Sequence, residues 1–296
     1  MNMHALVDRL TAGLGGAFAG RNRFFARTLE SPPLAHAISL TRVQAPEPEG
    51  EGIYETRADT PAGALDPSLR IARWVGPDRP SLIYLQGSGE RPFDFSARSK
   101  NTFRTVVLEA EEDWRANLCV LRAPFHSGTQ RDYARSMGDL ANFTGMLASL
   151  VVLVEELVTM LRKAGSGPVV VSGISLGGWA VNLHAGCFGT ADRYLPLLAG
   201  AALDDLFLRS RYRCLTAAPA LEQPGLMEEV LNFEDSFRDA PADRVFPLLG
   251  RHDQFIRHDP QVRSYGKVRV ETIERGHVTA AASPALLRHH IRRHMP

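Results

Sequence analysis

The segment Val169-Val170-Val171-Ser172-Gly173-Ile174-Ser175-Leu176-Gly177-Gly178 runs an apolar, β-branched stretch straight into a G-x-S-x-G motif. It continues into Trp179-Ala180-Val181-Asn182-Leu183, which has the composition of a buried helix. A sharp strand-to-helix turn of this kind forces its central serine into a strained backbone conformation, and side chains at Gly173 and Gly177 would collide with the packing around it. The turn lifts the Ser175 hydroxyl clear of the sheet. It also sets the Leu176 N–H at the start of a helix, where a developing oxyanion is stabilised. The chemistry this arrangement suits is nucleophilic attack on an acyl carbonyl. A dinucleotide-binding turn is the competing reading. It requires G-x-G-x-x-G with an acidic residue about 20 positions later, and the first part is missing here.

The elements around Ser175 follow an alternating pattern. Short apolar runs at residues 69–75, 81–86, 117–122, 169–173, 195–201, 245–249 and 268–273 read as strands buried on both faces of a parallel sheet. Helical stretches are expected at 102–115, 133–164, 176–185 and 284–295. This is an α/β pattern with helices on both faces of a mostly parallel sheet, in which active sites lie at the carboxyl ends of the strands. Residues 44–68, rich in Pro, Gly and Glu from Ala45-Pro46-Glu47-Pro48 to Asp66-Pro67, read as a surface connection.

Over residues 71–294 the chain resembles the α/β-hydrolase superfamily. The likeness implies an order of nucleophile, acid, histidine, each following a particular strand. Val245-Phe246-Pro247-Leu248-Leu249-Gly250-Arg251-His252-Asp253 looks like the strand and G-x-x-D loop that carry the acid. Val270-Glu271-Thr272-Ile273-Glu274-Arg275-Gly276-His277 looks like the last strand and its G-H loop. On this likeness His277 takes the proton from Ser175, and Asp253 holds the imidazole in the right tautomer. Asp204 and Asp205, after the preceding strand, occupy the other place where such folds carry the acid, and they stand as alternatives. His252 reads as a loop residue.

Ser81-Leu82-Ile83-Tyr84-Leu85-Gln86-Gly87-Ser88-Gly89 reads as an early strand ending in a glycine turn. Similar hydrolases carry H-G there, followed by the residue whose N–H is the second oxyanion donor. Gln86 departs from that pattern, but a backbone donor survives it; Gly87 and Ser88 are the candidates, with Ser88 preferred. His126, in Arg122-Ala123-Pro124-Phe125-His126-Ser127-Gly128, reads as a rim or structural histidine. Arg122, Arg131 and Gly167-Pro168 resemble the abhydrolase domain-containing protein eighteen group. The expected organisation is one domain over 1–296. Residues 1–68 would supply an N-terminal extension and first strands, and 206–243 a helical cap insertion.

The 296 residues, 44% of them hydrophobic, suffice for one large core. With 34 basic and 33 acidic residues the formal net charge is +1, which leaves no electrostatic footprint for nucleic acid or an anionic membrane. Cys119, Cys187 and Cys214 are odd in number and lack metal-ligand spacing, as expected for free thiols in a cytoplasmic protein. Leu10 to Gly20 loosely imitates an export signal, with Ala17-Phe18-Ala19 as its cleavage site, but Asp8 beside Arg9 and the short, weakly apolar run argue against it. The apolar stretch 146–161 is interrupted by Glu155 and Glu156 and falls short of the ~20 residues of a membrane span. His290 and His294 are spaced i, i+4 but, in sequence, without an acidic partner or third ligand, so a solvated helix face is expected rather than a metal site. The expected function is a serine hydrolase of carboxylic esters or thioesters, acting on a small-molecule acyl substrate without a cofactor. An acyltransferase using the same residues and a non-catalytic, ligand-binding relative are the rivals.

Overall fold

The computed structural model describes residues 2–20, 22–46, 50–111 and 113–296, so Glu47 and Pro48 of the proline-rich stretch lie outside the described residues. Eight strands form the central sheet: β1 (Gly52–Glu55), β2 (Ser68–Arg73), β3 (Ser81–Leu85), β4 (Asn117–Arg122), β5 (Val169–Ile174), β6 (Arg193–Leu197), β7 (Leu248–Gly250) and β8 (Glu271–Ile273). Their order across the sheet is β1-β2-β4-β3-β5-β6-β7-β8. β2 runs antiparallel to both neighbours, and every other pairing is parallel. The fold class is therefore the α/β arrangement expected from the sequence.

Every residue of β3 and β5 is buried. Successive side chains point to opposite faces, and they feed two separate cores. Ile83, Leu85, Val169 and Val171 pack on one side with the helices Leu140–Lys163 and Leu176–Cys187. Leu82, Tyr84, Val170 and Ile174 pack on the other with Phe103 and with Leu287 and Ile291 of the helix Pro284–Arg293. Two buried faces explain why these strands read as unbroken apolar runs rather than alternating ones.

Several boundaries differ from expectation for local reasons. The expected strand 195–201 is displaced to Arg193–Leu197, because register with β5 pairs Tyr194 with Val171 and ends at Leu197. The strand expected at 245–249 is interrupted by Pro247, which has no N–H to give. Val245 makes only an isolated bridge to Tyr194, and β7 begins at Leu248. The long helix expected at 133–164 is two helices, Gln130–Ser136 and Leu140–Lys163, with Asp139 between them holding Arg27 through Nε at 3.1 Å. The expected helix 102–115 shrinks to a π-helical segment, Phe103–Leu108.

The proline-rich region is more than a connection. It carries β1 and two strands, Ala58–Thr60 and Gly63–Leu65, of a small antiparallel sheet completed by Arg42–Val43. β1 is an edge strand whose residues are only half-buried or exposed, so its apolar signal is weak. The helix Leu140–Lys163 is 24 residues long, extending the apolar stretch seen in sequence. By length and composition alone it could cross a membrane, yet 78% of its apolar window is buried inside the protein, as in a core helix.

A further helix, Met3–Ala19, was not expected, and Gly13, Gly15 and Gly16 dilute its pattern. Asn2 caps it, its side chain accepting the His4 N–H at 2.8 Å. The helix packs against the turn Arg211–Leu215 and the helix His277–Ala281. Between β6 and β7 lie the helices Leu203–Leu208, Ala218–Leu221, Pro224–Leu231 and Glu234–Phe237.

Candidate active site

The turn after β5 gives Ser175 φ 52° and ψ −110°, a left-handed conformation that costs a non-glycine residue about 1–3 kcal/mol and persists only where the surroundings enforce it. The enforcement is visible in the neighbouring glycines. A Cβ at Gly177 would lie 2.2 Å from the Leu85 carbonyl oxygen, and one at Gly173 would lie 2.6 Å from the Gly177 carbonyl carbon. Only glycines let β3, the turn and the helix Leu176–Cys187 approach this closely. The Ser175 N–H donates to the Leu197 carbonyl at 2.9 Å and the Gly177 N–H to the Gln86 carbonyl at 2.9 Å. Those bonds fix the turn on both sides of Leu176.

Three side chains from three loops meet there. His277 Nε2 is 3.1 Å from Ser175 Oγ, and His277 Nδ1 is 2.8 Å from Asp253 Oδ2. The other carboxylate oxygen, Oδ1, accepts the N–H groups of Phe255 at 2.8 Å and Ile256 at 2.7 Å. Asp253 is thus fully committed: one oxygen holds its own loop, the other orients the imidazole. Burial works against the charged form of His277, but the charge and hydrogen bond of Asp253, with Asp8 behind them, more than offset it. The imidazole pKa therefore lies above its ordinary 6.5, with Lys100 opposing.

The alternative acids are occupied elsewhere. Asp204 accepts from Arg209 Nη1 at 2.7 Å and from Asn232 Nδ2 at 2.8 Å, and Asp205 accepts from Arg257 Nε at 2.9 Å. His252 stays a loop residue, 2.8 Å from Glu274 and stacked on His4.

The glycine turn after β3 brings Gly87 and Ser88 to the same cavity wall as Ser175, Leu176 and His277. Several side chains hold the loop in addition to the backbone of Gln86. His126 Nε2 accepts the Gly89 N–H at 3.2 Å while its Nδ1 donates to the Pro124 carbonyl at 3.0 Å. Burial pushes the His126 pKa down to about 4, so the neutral ring keeps one donor and one acceptor, as both bonds require. Ser88 Oγ bonds Tyr133 Oη at 2.9 Å, and Gln130 Nε2 donates to the Gly89 carbonyl at 2.6 Å. The carboxyl of Glu90 stands directly behind Gly87, where a Cβ would come within 2.9 Å of its Oε1. Glu90 is buried, which pushes its pKa up, and it accepts from the Thr102 hydroxyl at 2.8 Å.

A cavity of about 720 Å³ opens in front of Ser175. Phe24, Phe143, Phe207 and Tyr212, in ring contact with one another, and Leu206 give its lining an apolar cluster, and Lys100, Asn101, Thr102 and Thr105 add polar groups. Sequence reasoning missed the share contributed by Thr11 and Phe24 of the N-terminal segment. It also missed Asp8, whose side chain reaches the His277 loop. No sequence pattern marked it: Ala5, Asp8 and Ala12 are buried, while the larger apolar residues Met3, Leu10 and Leu14 of the same helix are exposed.

His290 and His294 do have an acidic neighbour, contrary to expectation. Folding brings Glu271 of β8 to them, with the three ligand atoms within 4.8 Å of one another. The guanidinium of Arg293 pairs with Glu271 and lies 3.2 Å from His294 Nε2, which supplies a positive charge at that spot already.

No protein-family model matches the chain, and no curated protein sequence matches it. Solved structures do. The acetyl xylan esterase from Paenibacillus sp. R4 is 12% identical, with a TM-score of 0.51 over 95% of this chain and 94% of that one. Est1E from Butyrivibrio proteoclasticus is 12% identical, with a TM-score of 0.50 over 85% of this chain and 98% of that one. The acylaminoacyl peptidase of Pyrococcus horikoshii is 13% identical, with a TM-score of 0.51 over 83% of this chain but only 40% of that one. At such identities the likeness is one of fold, and the fold is that of the α/β hydrolases.

Proposed function

We propose that this protein is a serine hydrolase that cleaves a carboxylic ester or thioester through an acyl-enzyme on Ser175. The observation that carries the reading is the continuous chain from Ser175 Oγ to His277 Nε2 at 3.1 Å and from His277 Nδ1 to Asp253 at 2.8 Å, on a serine held at φ 52°. Ser175 Oγ attacks the acyl carbonyl while His277 takes its proton, and Asp253 steadies the imidazolium. The carbonyl oxygen, now negative, is met by the N–H of Leu176 and that of Ser88 or Gly87. Each such donor is worth about 10²–10³ in rate. Collapse expels the alcohol or thiol, which leaves with the proton from His277. Water then attacks the acyl-enzyme as His277 accepts its proton, releasing the acid and restoring Ser175.

The apolar aromatic cluster of the cavity suits an acyl group. In this reading residues 1–296 form one domain and the insertion at 206–243 caps that cluster, for which the positions of Leu206, Phe207 and Tyr212 on the cavity wall are the support. One of the structurally similar proteins, the acetyl xylan esterase from Paenibacillus sp. R4, is an esterase by name, which fits the same bond class.

Intact-mass labelling with a fluorophosphonate tests the proposal. One adduct on the native chain and none on Ser175→Ala is the expected result. A folded native protein that takes no adduct, and hydrolyses no p-nitrophenyl ester, would rule the hydrolase out in favour of a binding role.

A further inference from the structure

The helix Met3–Ala19 delivers a carboxylate to the back of the catalytic loops. Asp8 is fully buried. Among the described residues no cation pairs with it; its oxygens accept backbone N–H groups instead. Oδ2 takes the N–H of Gln254 at 3.1 Å and that of His277 at 2.8 Å, and Oδ1 takes that of Val278 at 2.9 Å. Gln254 follows Asp253 directly, so one side chain binds the backbone of the acid loop and of the base loop at once. The approach is purpose-fitted at Gly276, where a Cβ would lie 2.7 Å from Asp8 Oδ2 and 2.8 Å from the His4 carbonyl oxygen. Two further contacts tie the same helix to the acid loop: Arg9 Nε donates to Gln254 Oε1 at 3.2 Å, and the His4 ring stacks on His252.

We propose that Asp8 is a positioning residue, a carboxylate that locks the loops of Asp253 and His277 to one another and sets the charge behind the imidazole. The inference rests on the catalytic reading of Ser175, His277 and Asp253. Two of the hydrogen bonds end on His277 and its neighbour, so losing them frees the imidazole to rotate away from Ser175. A misplacement of about 1 Å at such a site costs about 10²-fold in rate. The charged groups that bear on the imidazole are Asp253, Asp8 and Lys100, the first two favouring its protonated form and the last opposing it. His4 and Arg275 lie on the far side of the helix contact, 3.4 Å from one another.

The test compares Asp8→Asn with the native protein. The amide keeps the shape but replaces one accepting oxygen with an NH₂ that faces N–H donors, and it removes the charge. In ester hydrolysis kcat is expected to fall about 10–10²-fold with KM little changed. In Ser175→Ala and Ser175→Ala/Asp8→Asn, which need no turnover, the His277 imidazole titration followed by NMR is expected to move down by about one unit. Asp8→Glu, with its charge retained, is expected to keep most of that pKa. A role in folding alone would lower the melting temperature and leave both the midpoint and kcat in place, which overturns the proposal. If the native protein never labels at Ser175 but Asp8→Asn still shifts the imidazole, the hydrolase reading fails and the role of Asp8 stands. Should Asp8→Asn fail to fold, the native protein serves: the amides of Gln254, His277 and Val278, all held by the one carboxylate, are expected to exchange their hydrogens with solvent at one shared opening rate. Three independent rates would refute the shared clamp.

Discussion

The N–H of Gly177 donates to the carbonyl of Gln86 at 2.9 Å, so the turn that presents Ser175 and the loop that carries Gly87 and Ser88 are joined by one backbone hydrogen bond. Ser175 and the Gly87-Ser88 turn therefore share a register. The bond uses the main chain of Gln86 and does not depend on its side chain.

Gly177→Ala should break that register. Its Cβ would meet the Leu85 carbonyl oxygen at 2.2 Å, and neither β3 nor the turn has a side chain to move aside. Labelling of Ser175 by a fluorophosphonate should fall at least 10²-fold, measured as a second-order rate on protein whose circular dichroism shows it folded.

Substituting the carboxylates should separate the acid from its alternatives. Asp253→Asn leaves the shape of the site but favours the wrong imidazole tautomer, and kcat for a p-nitrophenyl ester should drop about 10⁴-fold. Asp204→Asn disturbs only the contacts to Arg209 and Asn232, so its kcat should remain near that of the native enzyme.

The labelling rate should rise with pH. Attack needs His277 neutral, and its pKa lies above 6.5, so the half-maximal rate should fall on the alkaline side of that value. The sign for stability is the opposite. A group whose pKa is raised by folding contributes stability below about 6.5, and that contribution fades as pH climbs through the folded value. A fluorophosphonate rate profile and thermal melts across pH 5–9 would measure both trends.

His126→Ala should lower kcat about 10²-fold by releasing the Gly89 N–H and the loop that follows β3. It should leave the neutral-range pH midpoint where it is, because burial holds the His126 pKa near about 4 and its ring does not titrate there. A shift of the midpoint in this variant would mean that His126 shares the proton chemistry.

Leu206→Trp should narrow the cavity at its apolar cluster. Measured as kcat/KM over a p-nitrophenyl ester series, the preference should move to shorter acyl chains, with acetate esters affected least.

The parts legible in sequence are those whose physics is local or doubly enforced. β3 and β5 are buried on both faces and could hardly be misread, and the turn at Ser175 announces itself through glycines that packing demands. The loops bearing Asp253 and His277 follow the family order closely enough to locate. Less legible were elements whose partners lie far along the chain. β1 is a half-exposed edge strand that exists because β2 pairs with it. The helix Met3–Ala19 is rich in glycine and gains its place from contacts with residues beyond 200. Glu271 meets His290 and His294 only once β8 and the last helix dock, so no spacing rule could have joined them. Asp8 was read only as a charge that spoils an export signal, and its burial could not be read in sequence, because the helix turns Ala5 and Ala12 inward and leaves the larger Met3, Leu10 and Leu14 exposed.

The bond between the Asp8 carboxylate and the His277 amide also has a temporal side. The helix Met3–Ala19 is synthesised well before residues 254, 277 and 278, the three whose amides it must receive. During translation that carboxylate has no partner, and the loops of the acid and the base do not yet exist. A ribosome-bound chain that stops before them holds Ser175 without Asp253 or His277. Contacts that span so much of the chain are the slow ones to form. Chains truncated before residue 277 should accordingly take no fluorophosphonate adduct.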